Sequence, residues 1–70
     1  MRGVVVDFDE SVGLGRVRTS DGVELGFHCV EITDGSRRIA VGAEVVFRRG
    51  TGRAGADEAY ELEVLSRPSA

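Results

Sequence analysis

The sequence contains no lysine, and all nine of its basic residues are arginine. Twelve carboxylates outweigh them, leaving a net charge of -3. A compact duplex-DNA binder normally carries a strong basic excess, so this composition speaks against that class. Arginine also differs from lysine in offering a flat face that can stack on bases. Cys29 is the only cysteine, so no disulfide can form within the chain, which fits a reducing compartment. His28 beside it is the only histidine, and a zinc site of three or four such ligands cannot be assembled by a single copy. No apolar run approaches the ~20 residues needed to cross a bilayer. The opening stretch Met1-Arg2-Gly3-Val4-Val5-Val6 runs into Asp7 and is too short for a signal-peptide core, so a cytoplasmic location is expected. No serine stands in a nucleophile-elbow pattern. The glycine-rich segment 50–55 lacks the Gly-Lys-Ser/Thr ending of a phosphate loop. Neither catalysis nor a metal or other cofactor is expected.

What the sequence does have is valine, glycine and a two-residue period. Its 70 residues are 41% apolar and 30% charged, the balance of an ordinary folded domain. So short a domain buries only about 60% of the surface its unfolded chain exposes, which makes its stability marginal. Ten glycines punctuate short alternating segments, a pattern of strands rather than helices. Five strands are predicted, over residues 2–8, 15–19, 23–28, 44–49 and 59–65. In the first, Val4, Val6 and Phe8 are expected on one side and Val5 on the other. In the last, Tyr60, Leu62 and Val64 are expected opposite Glu61 and Glu63. Ser20-Asp21-Gly22 suits a tight reversal. A short helical turn is predicted at residues 29–32, followed by an exposed loop whose end Ile39 and Val41 would pin to the core. Five short strands with a long connection after the third predict an all-β, five-stranded Greek-key barrel, since closure removes exposed edges. An SH3-like barrel is the structural alternative. Residues 1–66 would form one domain and 67–70 a tail.

Two stretches carry a family resemblance. Val12-Gly13-Leu14-Gly15-Arg16-Val17 is similar to the first nucleic-acid-binding signature of cold-shock domains, Lys-Gly-Phe-Gly-Phe-Ile, with both phenylalanines replaced. Leu25-Gly26-Phe27-His28-Cys29 resembles the second, Val-Phe-Val-His-Phe, with His28 retained. The opening Gly3-Val4-Val5-Val6-Asp7-Phe8-Asp9 is similar to Gly-x-Val-Lys-Trp-Phe-Asn, and Val41-Gly42 through Phe47 to Gly-x-x-Val-x-Phe. The likeness runs from Gly3 to about Val64. It implies an oligonucleotide/oligosaccharide-binding barrel, the OB-fold. It also implies a sheet face on which bases of single-stranded RNA or DNA stack. Of the family's stacking places this chain keeps Phe8 and His28, while Asp7, Leu14, Arg16, Gly26 and Cys29 stand at five others. A stacked base contributes roughly 1–3 kcal/mol, so five lost platforms imply weak binding.

The expected nucleic-acid-binding residues are Phe8, Leu14, Arg16, Arg18, His28 and Arg48. Arg16 would stack on a base or meet a phosphate, and Arg18 would meet a phosphate. His28 would stack on or hydrogen-bond to a base. Arg48, with Arg49 and Arg53, would form a basic rim. The plain alternatives are solvated arginines paired with carboxylates, an inherited strand histidine, and a Phe8 that covers the barrel mouth. Phe27 is expected in the core with Val23 and Leu25, and Cys29 as a half-buried free thiol. A different function class stays open. Val4, Val6, Phe8 and Leu14 could form one apolar patch for a protein partner or a homodimer.

Overall fold

Alternating apolar and charged residues build five strands in the computed structural model, which describes residues 1–52 and 57–68. The strands are β1 Arg2–Asp9, β2 Leu14–Thr19, β3 Glu24–His28, β4 Glu44–Thr51 and β5 Asp57–Ser66, with a 3₁₀ turn at Cys29–Glu31. They close into a barrel in the order β1-β2-β3-β5-β4, with β4 returning to β1. All joins are antiparallel except β3 to β5, where Gly26 pairs with Glu58 in parallel. The fold is the expected all-β, five-stranded closed barrel with one helical turn after β3, and it is compatible with an OB-fold. Among the described residues no helix is long and apolar enough to cross a membrane.

The inward residues of the strands fill the barrel. Val5, Val17, Leu25, Phe27, Val45 and Leu62 are each no more than 2% exposed. Removing a side chain the size of Phe27 from water contributes about 1.5–3 kcal/mol. Two glycines of the first signature make room for what packs above them. A Cβ on Gly15 would stand 2.5 Å from the Phe27 ring and 2.8 Å from the Asp7 carbonyl oxygen. Gly13 turns the chain with a φ of +71°, where a Cβ would meet the Cys29 Sγ at 2.6 Å. Its carbonyl accepts from the Cys29 backbone N–H at 2.7 Å, tying the β1–β2 turn to the start of the 3₁₀ turn. The second turn forms at Ser20-Asp21-Gly22 as expected. Buried Thr19 holds it through hydrogen bonds with Asp21 and with the Val23 backbone.

Two bulges overturn the expected facings. In β1 the pairing with β2 jumps from Val5↔Val17 to Asp7↔Arg16, so Val6 is an extra residue. A bulge of one residue reverses the alternation beyond it. Phe8 therefore does not share a side with Val4. It lies opposite Gly15, half-buried, and stacks on Phe27 with ring centroids 5.9 Å apart and planes at 3°. In β5 the register with β4 shifts between Tyr60 and Glu63, and Glu61 has a φ of +54°. Leu62 is buried by this shift while Tyr60 turns outward, so the two do not share a side.

Smaller differences concern the ends. β4 continues through Gly50 to Thr51, and β5 begins at Asp57, because the two strands stay paired to Thr51↔Asp57. Arg53 and the last two residues of the expected tail lie outside the described residues. Ile39 does pack against the core, but Val41 is 56% exposed. The chain reverses there at Gly42, whose N–H donates to the Val5 carbonyl, and Ala43 takes the buried place instead.

These contacts separate two glycines that look alike in the sequence. Gly15→Ala forces a methyl group into the Phe27 ring and should cost about 2–3 kcal/mol, lowering Tm by about 10 °C or more. Gly26→Ala, whose new Cβ would have its nearest neighbour at 3.9 Å, should leave Tm unchanged or raise it. Thermal unfolding followed by circular dichroism checks both, and equal Tm values for the two variants would contradict the packing described.

Candidate nucleic-acid interface

Strand pairing sets nine outward residues in a three-by-three array on β1, β2 and β3. Val4, Arg18 and Glu24 form one row, Asp7, Arg16 and Gly26 the next, and Asp9, Leu14 and His28 the third. Directly opposed residues share a face of a sheet, so Leu14, Arg16, Arg18 and His28 stand together as expected. Phe8 does not join them, because the Val6 bulge turns it to the barrel interior. Arg48 does not either. It sits on β4 with its guanidinium 3.3 Å from the Glu61 carboxylate, beside Thr33 and Glu63.

The centre of the array is open. Arg16 and His28 have side chains 57% and 59% exposed, and between them Gly26 offers bare backbone. Arg16 is not free of partners: its guanidinium lies 3.4 Å from Asp7 and 3.4 Å from Glu24. Arg18 approaches the same Glu24 at 2.7 Å. The Arg18 guanidinium, by donating to it, holds the Glu24 carboxyl below its ordinary range, with further help from Arg16. Asp9, at the corner of the array, is also held low, by hydrogen bonds from the Ser11 hydroxyl and backbone N–H. The rim arginine Arg49 is likewise engaged, 2.7 Å from Asp57. Exposed pairs of this kind exchange readily with water and other ions.

The face continues onto β5 in a way the period-two reading missed. His28 Nε2 lies 3.5 Å from the Glu58 carboxylate, and Glu58 with Tyr60, Thr51 and Gly52 lines a cavity of about 680 Å³ beneath the imidazole. The readable signal was Gly50-Thr51-Gly52. A Cβ on Gly50 would press the Tyr60 ring at 2.9 Å, and one on Gly52 would occupy the place of the Glu58 carboxylate. Gly50 on β4 and Gly52 just beyond its end thus let two β5 side chains lie across them.

The expected apolar patch is divided. Val4, 42% exposed, borders a groove of about 370 Å³ with Val6, Arg18 and Glu44. Leu14, 45% exposed, stands at the far end of the array beyond Asp7 and Arg16, and Phe8 faces inward. Cys29 is half-buried against Gly13, as expected of a packed thiol.

Phe8→Ala removes half of the stacked pair with Phe27, so it should lower stability by about 2 kcal/mol in a denaturant titration. An unchanged unfolding midpoint would contradict its place inside the barrel mouth. Glu24 offers a pH test. A carboxyl held low in the folded state adds stability above its unfolded pKa, and that stability is lost as pH falls through the folded value. Below pH 4.5, the ordinary value for glutamate, wild type should lose stability more steeply than Glu24→Gln. Parallel stability curves for the two would contradict the Arg18–Glu24 contact. Compared with known proteins, the chain matches no protein-family model and no curated protein sequence.

Proposed function

We propose that this barrel is a non-catalytic module that binds single-stranded RNA or DNA weakly through the outer face of β2 and β3. One observation carries the reading: two exposed planar groups, Arg16 and His28, flank the bare backbone of Gly26 on a solvent-open sheet face. A base lying over Gly26 would have a guanidinium on one side and an imidazole on the other. Both groups stack on bases and both donate hydrogen bonds. Leu14 beside His28 adds apolar contact, and Arg18 lies one place further along the strand for a phosphate. The resemblance of residues 12–17 and 25–29 to the cold-shock signatures supports the same face.

The electrostatics set the affinity. Arg16 and Arg18 must exchange Asp7 and Glu24 for phosphate oxygens, and the chain carries a net charge of -3. Binding is therefore weak and strongly salt-dependent. A protein-docking role at the Val4–Val6 groove is the second reading, favoured by the exposure of Val4 and by the carboxylates that occupy the arginines.

Titration of labelled single-stranded oligonucleotides at low salt, read by fluorescence anisotropy, tests the first reading. Saturable binding is expected, weakened roughly fivefold to tenfold by Arg16→Ala or His28→Ala. Asp7→Asn should strengthen it, since it leaves Arg16 with one carboxylate partner instead of two and removes a negative charge. No anisotropy change at ~100 μM protein would sink this reading. A dimer in size-exclusion chromatography that Val4→Glu dissolves would favour the second.

A further inference from the structure

The cavity beneath His28 has a chemistry different from the array beside it. Its carboxylate is Glu58, whose side chain is only 21% exposed and is laid over Gly52, with Thr51 and His28 also in the lining. Its planar group is Tyr60, whose ring rests across Gly50 and whose hydroxyl donates to the Thr51 carbonyl at 3.4 Å. The cavity is also continuous with the proposed binding face, because Glu58 pairs with Gly26, the residue between Arg16 and His28. A strand of bases laid over Gly26 has its next step at Tyr60.

A phosphate does not suit this place, since a carboxylate repels it. A base edge rich in donors does. Guanine presents two adjacent donors, N1–H and the N2 amino group, which match the two oxygens of one carboxylate. Adenine and cytosine each place an acceptor nitrogen beside their amino group. Uracil and thymine flank one N–H with two carbonyls. Each of these brings an acceptor against the carboxylate. We propose that the His28–Glu58–Tyr60 cavity is a guanine-selective base pocket, with Tyr60 as stacking platform and Glu58 as double acceptor. This inference rests on the nucleic-acid reading above and adds β5 and a base preference to it.

The molecule carries its own reporters. Tyr60 is the only tyrosine and His28 the only histidine, so their ring-proton resonances in NMR spectra read the cavity without labelling. Three ligands suffice: a short oligouridylate, the same strand with one central guanosine, and the same strand with inosine in that place, which lacks the N2 amino group. The guanosine strand is expected to shift both Tyr60 and His28 signals. It should bind about tenfold more tightly than either the inosine or the all-uridine strand. Glu58→Gln should remove most of that preference while leaving the oligouridylate affinity equal or higher. Tyr60→Leu should weaken the guanosine strand about tenfold, with folding of each variant checked by circular dichroism.

Other outcomes overturn the proposal in distinguishable ways. If all three strands bind alike and move His28 but not Tyr60, the pocket is refuted and the face on β2 and β3 stands. If no strand binds at ~100 μM protein, the nucleic-acid reading falls and takes the pocket with it. If arginine amide shifts Tyr60 and the oligonucleotides do not, the carboxylate and ring take a guanidinium, and the guanine assignment is wrong.

Discussion

Five short strands can close on themselves only if some of them bend enough to serve two neighbours. β1 pairs with β4 through Arg2–Val4 and with β2 through Gly3–Asp9, and the extra residue Val6 bends it just beyond the stretch that serves both. β5 lies between β4 and β3: it pairs with β4 on both sides of its own bend at Glu61 and with β3 at Glu58. A bulge adds twist and tilts the strand, which is what a small barrel needs. Much else follows from these two bends. One brings Phe8 over the barrel mouth onto Phe27, so that the most deeply buried ring of the core is capped by a second ring. The other buries Leu62 while it releases Tyr60 to the outer surface.

The outer surface is a lattice of compensated charge. Asp7, Arg16, Glu24 and Arg18 form a chain in which each cation meets at least one carboxylate. Such a lattice keeps a sheet face soluble without giving it a strong field. The contacts are exposed and individually weak, so each arginine can leave its carboxylate for another anion. A polyanion gains less here than at an unopposed basic patch.

The strands, the Asp21-Gly22 reversal and the helical turn after β3 were legible in the sequence, because each depends on local chemistry. Valine alternation names a strand, and Asp-Gly names a turn. The grouping of Leu14, Arg16, Arg18 and His28 was legible for the same reason: all four lie on unbulged segments. Phe8 and Tyr60 were misread, since a bulge is decided by which strands must be joined and leaves a two-residue period looking intact. The partners of Arg16 and Arg48 were equally out of reach, as Asp7, Glu24 and Glu61 come to them only through cross-strand register. Val41 was assigned to the core on hydrophobicity alone. Ala43, smaller and one turn later, holds the place because Gly42 has already reversed the chain.

The join between β3 and β5 is the lightest in the barrel. Among the described residues it consists of one residue pair, Gly26 with Glu58, supported by the bridge from Ile32 to Leu62 beyond the strand end. Every other join has three pairs or more. The molecule is in this respect a rolled strip held by a clasp. Unrolling at the clasp costs few hydrogen bonds and leaves β1 to β4 paired as before, yet it turns β3 and β5 into free edges. The free edge of β5 in one copy would then match the free edge of β3 in another. The closed clasp is thus what keeps two complementary strand edges out of reach of other chains.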